Sequence, residues 1–473
     1  MATDLDLLEV RLGSIEAAAG CGKTELIAST LRRCRPAEKP VLVLTHTNAG
    51  ANALQQRLSK RDIPSSVYRV LTIDGWAMRM VSAFPAGSSY DLPSAGRSLN
   101  YPAIRRGAAH LLATGNIDPL LAATYSRLIV DEYQDCCTVQ HEVVSSISRT
   151  LPTVVLGDPL QAIFGLNGSV LVRWDDAVAK FPTIGPLNKP WRWINAGAQP
   201  LGEWLMDIRA DLKAGNPIDI GKGQPGVQWV EATAKDVQGR MKAAAYKHPD
   251  GDGSLLIIAE GSDKKGQKNF AKRTPGASTV EAVDLKDLTT FAATYKPGSS
   301  GCLDQLLAFG ADVMTKVDPA GMRMRLKALS GTRPTTEASI AETAAQAYLA
   351  QPSVEAAHRL LRALSTNTGA RVYRPAIYYG CLDAMSRVLK SGQSLSDAAV
   401  SVRELQRHKV RVMPKRAVGS TLLLKGLEAD VAVVMHPEKM TAQHLYVALT
   451  RGAKKVLVCS PTQILTPLKA KSP

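Results

Sequence analysis

Apolar and polar positions divide the chain into stretches of different character. Over the first 190 residues, short apolar runs alternate with segments whose apolar residues recur at helical spacing. The runs "VLVLT" (41–45), "RLIVDE" (127–132) and "TVVLGD" (153–158) are near-continuously apolar and end on a polar residue. Strands buried on both faces of a parallel sheet read this way. The segment "TNAGANALQQRLSK" that follows the first run carries helical spacing. The alternation predicts an α/β fold with active groups at the carboxyl ends of its strands. Residues 85–125 begin rich in Pro, Gly and Ser, turn helical at "AIRRGAAHLLATG", and read as a small insertion. A second block starts near 185, with a strand expected at "SLLIIAE" (254–260) and a Lys- and Gly-rich loop expected at "GSDKKGQKNFAKRTPGAS". Residues 286–404 are mostly helical in pattern, as in "SVEAAHRLLRALS", and α/β character returns from 418. The expected organisation is therefore an α/β domain over 1–184 with an insertion at about 80–125, a second over 185–285 and 405–473, and a helical insertion over 286–404.

Composition narrows the class. Hydrophobic content of 45% and charged content of 21% describe an ordinary globular chain, with no apolar run of membrane-spanning length and an acidic, unsignal-like "MATDLDLLEV" start. No membrane partner is expected. The seven Cys are scattered without metal-ligand spacing, so free thiols and a cytoplasmic location are expected. The formal charge of +16 favours a polyanionic partner, because a basic surface gains by releasing counterions from phosphates. Aromatics at 5% leave few rings for stacking on bases.

Candidate chemistry begins at Gly20-Cys21-Gly22-Lys23-Thr24, between the apolar stretch "GSIEAAA" and a helix. A loop there turns its backbone N–H groups and the positive helix end toward phosphate. Lys23 is expected to reach the β- and γ-phosphates, and the Thr24 hydroxyl to ligate Mg²⁺. Ala17 stands where a strict pattern has its first Gly, but the close backbone approach rests on Gly20 and Gly22. "LIVDEYQD" (128–135) supplies a second half: Asp131 is placed to hold Mg²⁺ and Glu132 to polarise an attacking water. Together they predict NTP hydrolysis.

"DEYQD" followed by "GDPLQAIFG" resembles motifs II and III of superfamily 1A DNA helicases, the UvrD/Rep/PcrA group. "AAAGCGKT", "VLTHTNAGANALQQRL", "TIDGWAMRM", "LNKPWRWI", "STLLLKGLEADVAVV" and "LYVALTRGAKKV" resemble the group's remaining motifs, in order. The resemblance implies two RecA-like P-loop domains with small, mostly helical inserted subdomains, and ATP with Mg²⁺ as cofactors. It implies that Gln161 senses the γ-phosphate, and that Arg192 and Arg451 act as arginine fingers from the second domain. Trp191 stands in the place of the aromatic that stacks on the ATP base; Gly426 and Glu428 resemble contacts to its phosphates and sugar. Thr45, Thr47, Asn48 and Thr72 correspond to contacts with the nucleic-acid strand, and three basic runs (262–273, 322–327, 407–416) are candidates to line its track.

The chain departs from the group in three ways. No Gln precedes Gln55, so the adenine-reading motif is missing from this sequence. Leu166 and His46 stand where the group often has base-stacking Trp and Phe, leaving His46 and Phe164 as substitute platforms. The two insertions look trimmed. The expected activity is ATP-dependent 3′→5′ translocation on single-stranded or tailed duplex DNA with limited unwinding. The alternative is a DNA-end or single-strand-sensing NTPase that activates a partner nuclease subunit, as in the helicase subunits of Gabija-type antiviral defence systems. An RNA helicase is a weaker third reading.

Overall fold

The computed structural model describes residues 5–92, 99–165, 170–221, 223–233, 236–246, 253–331, 336–408 and 414–469. Leu166 and residues 409–413 of the third basic run lie outside them. The chain is α/β, with two six-stranded sheets in which each described pairing is parallel. It divides into two compact units: unit 1 spans Met1–Glu231 and His436–Pro473, and unit 2 spans Ala232–Met435. Among the described residues, no helix is long and apolar enough to cross a membrane.

Unit 1 is built on strands β1 (Leu12–Ala17), β2 (Val41–Thr45), β3 (Tyr68–Thr72), β4 (Leu128–Val130), β5 (Thr153–Gly157) and β6 (Thr183–Leu187). Their order is β3-β2-β4-β5-β1-β6. Successive side chains of a strand point to opposite faces, and both faces are covered. Leu42, Leu44, Leu128, Val130 and Val155 enter one core with Trp76 and Val143. Val41, Val43, Ile129, Val154 and Leu156 enter the other with Ile27 and Leu54. The insertion contributes to the first core rather than standing apart, for Ile104, Ala108, Leu111 and Leu112 of helix Tyr101–Ala113 are buried in it. Asp74 fixes that helix further: it accepts from Arg105 Nε and Nη2 at 2.7 and 2.6 Å and from Gln140 at 2.9 Å. Unit 1 also holds β7 (Ile218–Asp219) and β8 (Val227–Glu231).

Unit 2 contains β9 (Leu255–Ala259), β10 (Ala277–Thr279), β11 (Arg416–Ser420) and β12 (Ala429–Val434), in the order β10-β11-β9-β12. The chain ends in unit 1 with β13 (Gly452–Ser460), parallel to β8, and β14 (Ile464–Leu465), antiparallel to β7. Helices from Lys286–Thr294 to Leu395–His408 occupy the stretch read as helical, around a core that includes Leu306, Tyr348, Leu361 and Met385. Arg374, 1% exposed, ties this core to the sheet edge through Glu281, Asp287 and Asp312.

One expected loop is a helix. Lys264–Arg273 is helical, with the Asp263 carboxylate accepting from Gly266 N at 2.7 Å as its N-cap. Arg371 closes the other end, donating to the carbonyls of Ala271, Lys272 and Thr274. Gln267 and Ala271 are buried, Lys268 pairs with Asp287 and Asp312, and Lys264, Lys265 and Lys272 are exposed, so much of the charge density that suggested a loop is a solvated helix face.

Candidate nucleotide site

The site forms in unit 1 at the carboxyl edge of the sheet, where parallel α/β sheets hold their ligands. β1 leads into the loop Ala18–Gly22, and Gly22 caps helix Lys23–Arg32 with no side-chain hydrogen bond. The first-turn N–H groups therefore have no side-chain cap and remain the natural partners of an anion. Gly20 and Gly22 adopt left-handed φ of 69° and 91°. A Cβ on Gly20 would lie 2.7 Å from the Trp193 ring and 2.8 Å from Arg192 Cβ, so only Gly lets the "PWRW" turn rest on the loop. Arg192 N donates to Gly20 O at 3.1 Å. Trp191 lies beside Gly22, with Lys189 Nζ 4.1 Å from its ring centroid. Cys21 is buried, its thiol 3.6 Å from Ala19 O and 3.7 Å from Met206 Sδ. Burial pushes that thiol up to about 12, so it stays protonated despite its place in the loop.

Lys23 Nζ meets Glu132 Oε1 at 3.3 Å. Burial works against its ammonium, yet Glu132, Asp131 and Asp158 together hold its pKa above the usual lysine value. Glu132 follows β4 and Asp131 in a left-handed conformation, φ 56°, a strained backbone for a residue with a side chain. The Asp131 carboxyl is pushed up to about 6 by burial and by neighbouring Glu132, against the pull of Lys23. A buried Asp131 carboxyl next to the half-buried Glu132, beside an uncapped helix end, suits a phosphate-bound divalent cation. Thr24 and Asp131 would hold Mg²⁺, which keeps several waters and needs few protein ligands. Among the described residues, no group of three or more His, Cys, Asp or Glu is placed to hold a metal ion.

The raised Asp131 pKa has a signed consequence. The native state binds this proton more tightly than the unfolded chain, so its contribution is complete below the unfolded value and lost as pH rises through about 6. Asp131→Asn removes the titration. Without Mg²⁺, the variant is expected to gain about 1–2 kcal/mol more over wild type at pH 8 than at pH 5. Thermal melts at both pH values check this; an equal effect at both contradicts it.

From Glu132 a run of polar contacts crosses to β5. Gln134 Nε2 donates to Glu132 Oε2 at 2.5 Å, and Gln134 Oε1 accepts from Asp158 N at 3.0 Å. Asp158, fully buried, accepts from Gln161 Nε2 at 2.9 Å. Gln161 Oε1 accepts from Arg451 Nη2 at 3.4 Å. Arg451 is itself buried, donating to Val447 O at 2.8 Å and Thr450 Oγ1 at 3.1 Å, and Arg192 Nη1 donates to Thr450 O at 2.7 Å. Both arginines lie in unit 1. Gly426 and Glu428 lie in unit 2, exposed in the turn between β11 and β12, where Gly426 has φ 81°.

The strand-contact candidates cluster on the same edge. Thr45 ends β2, and Thr47 and Thr72 are the N-caps of helices Asn48–Ser59 and Ile73–Ala83, accepting from Gly50 N and Gly75 N at 3.0 and 2.9 Å. Asn48 is exposed at the first helical position. His46 and Phe164 meet, ring centroids 5.4 Å apart and planes inclined 39°. Phe164 follows Gln161 by only three residues. The motifs did not point to Gln134, Arg209 or Tyr446 as members of this network, though all three bond to residues of the site.

A phosphate-binding loop after the first strand of a parallel sheet, with a carboxylate pair after a neighbouring strand, defines a P-loop α/β domain. Residues 6–166 match a protein-family profile described as an AAA domain. No curated protein matches the chain. Among solved structures, the arterivirus nonstructural protein 10 helicase in complex with DNA is similar, with a TM-score of 0.35 and 10% identity over 95% of this chain and 61% of that one. This chain thus spans less than two thirds of that protein's length.

Proposed function

We propose that this chain is a Mg²⁺-dependent ATPase stimulated by single-stranded DNA, translocating 3′→5′ with limited unwinding. One observation carries the reading: Lys23, Glu132, Gln134, Asp158, Gln161 and Arg451 form one polar run, and the segment bearing Gln161 also places Phe164 on His46. A strand stacked on that ring pair would act on the groups around the γ-phosphate. When bound, ATP and Mg²⁺ supply the phosphoanhydride to be cleaved and the charge that offsets it. Lys23 and the first-turn N–H groups would grip the phosphates, Thr24 and Asp131 would hold Mg²⁺, and Glu132 would take a proton from water. Gln161 would orient that water, and Arg192 and Arg451 would face developing negative charge. Trp191 would bound the base.

A second reading, the sensor that activates a nuclease subunit, is favoured by the insertion helix Tyr101–Ala113 being buried in the core of unit 1 rather than projecting as an arm. Displacement of a strand from a 3′-tailed duplex separates the two. Displacement supports the motor, and stimulated hydrolysis without it supports the sensor. Displacement on 5′-tailed substrates alone would overturn the proposed polarity.

The ring pair yields a separate expectation. His46→Ala with Phe164→Ala should weaken binding of a single-stranded oligonucleotide by about 1–3 kcal/mol and leave unstimulated hydrolysis unchanged. Fluorescence anisotropy with a labelled oligonucleotide measures this; unchanged affinity would remove the pair from the strand path.

A further inference from the structure

Arg209 lies on helix Gln199–Ala214, outside every motif used above, and is only 9% exposed. Its Nη1 donates to Asp158 Oδ2 at 3.0 Å and to the Tyr446 hydroxyl at 2.6 Å. Its Nη2 donates to Asp158 Oδ1 at 2.9 Å and to Glu16 Oε1 at 2.7 Å. Both terminal nitrogens are committed, in the planar fork that suits Arg and not Lys.

Each acceptor belongs to a different part of the site. Glu16 is in β1, immediately before the phosphate loop. Asp158 follows β5, and its carboxylate also accepts from Leu160 N at 3.2 Å and Gln161 Nε2 at 2.9 Å. The Tyr446 hydroxyl accepts from Ala19 N, in the loop, at 3.3 Å. Tyr446 and Val447 share helix Ala442–Leu449, and Val447 O accepts from Arg451.

We infer that Arg209 is a positioning residue that couples the phosphate loop to the Gln161 turn through Asp158 and Tyr446. The inference rests on the ATPase reading for its kinetic meaning. Arg209 fixes Asp158 in bidentate geometry, and Asp158 accepts from the amide nitrogen of Gln161. That leaves the Gln161 oxygen toward Arg451, the orientation observed. Arg209 also offsets the buried charge of Asp158, which lies close enough to influence Lys23. The Tyr446 hydroxyl carries the same restraint to the loop backbone. Filling space would not need a bidentate ion pair, for a well-packed apolar pair does that as well.

Three variants test it: Arg209→Lys, Tyr446→Phe, and the charge-neutral double variant Arg209→Met with Asp158→Asn, which avoids stranding a buried carboxylate. Hydrogen exchange is followed by mass spectrometry without nucleotide, and hydrolysis and nucleotide affinity are measured on the same samples. Arg209→Lys is expected to speed exchange about tenfold in peptides covering 17–24 and 158–164, and not in 41–45. It should lower kcat about 10–100-fold with nucleotide Kd within about threefold, because small misplacement of catalytic groups costs rate before binding. Tyr446→Phe should speed exchange in 17–24 alone, and the double variant should match Arg209→Lys in kcat. Exchange that rises evenly across the sheet, or kcat and affinity falling together, would make Arg209 a structural residue and overturn the inference. Should wild type hydrolyse nothing, the functional reading fails, while the exchange pattern still decides the coupling by the same criterion.

Discussion

Glu132→Gln is expected to leave the chain folded and nucleotide-binding while lowering hydrolysis about 10³-fold, within the range for losing a general base. Its two carboxylate oxygens are already placed, one 3.3 Å from Lys23 Nζ and the other 2.5 Å from Gln134 Nε2. A glutamine keeps the shape and one acceptor but cannot take a proton from water. Single-turnover hydrolysis beside binding of a fluorescent nucleotide checks both halves. A variant that hydrolyses within about tenfold of wild type would remove Glu132 from its role.

The second large effect concerns Arg451. Arg451→Lys is expected to lower kcat about 10³-fold, at the lower end of what arginine fingers contribute, with nucleotide affinity changed only a few-fold. The side chain is 2% exposed and spreads its donors over Val447 O, Thr450 Oγ1 and Gln161 Oε1. Lysine keeps the charge but cannot hold three acceptors in one plane. The variant therefore tests the fork rather than the charge. A kcat within about fivefold of wild type would place Arg451 among structural cations.

The sequence made some of this legible and concealed the rest for physical reasons. β2, β4, β5 and β9 were readable because they are buried on both faces and therefore run apolar. β1 was not, because "LGSIEA" carries Ser14, inside the sheet, and Glu16, which Arg209 holds. β3 and β6 are the two edges of their sheet, where half-exposed positions are tolerated, and β6 includes Gly185 and Pro186. The helix Lys264–Arg273 depends on Arg371, about a hundred residues away in sequence, so no local pattern could announce it.

The site divides the same way. Lys23, Thr24, Asp131, Glu132, Gln161 and Arg451 stand in short motifs whose spacing is set by local backbone geometry, so the sequence alone singles them out as candidates. Arg209 was not, since its partners lie 51, 193 and 237 residues away. One faint signal existed: Leu201, Leu205, Ile208 and Leu212 mark the buried stripe of its helix, and Arg209 falls on that stripe four residues after Leu205. A guanidinium on an apolar stripe needs a buried acid, and Asp158 is that acid. Asp74, by contrast, accepts from Arg105 and Gln140 and so anchors the insertion.

The most direct test of the central claim is the rate of ATP hydrolysis by the full chain with Mg²⁺, with and without a single-stranded DNA oligonucleotide, beside Glu132→Gln. The expected result is hydrolysis that rises with the oligonucleotide and falls about 10³-fold in the variant. Hydrolysis that ignores the oligonucleotide, or equal rates from wild type and Glu132→Gln, would contradict it.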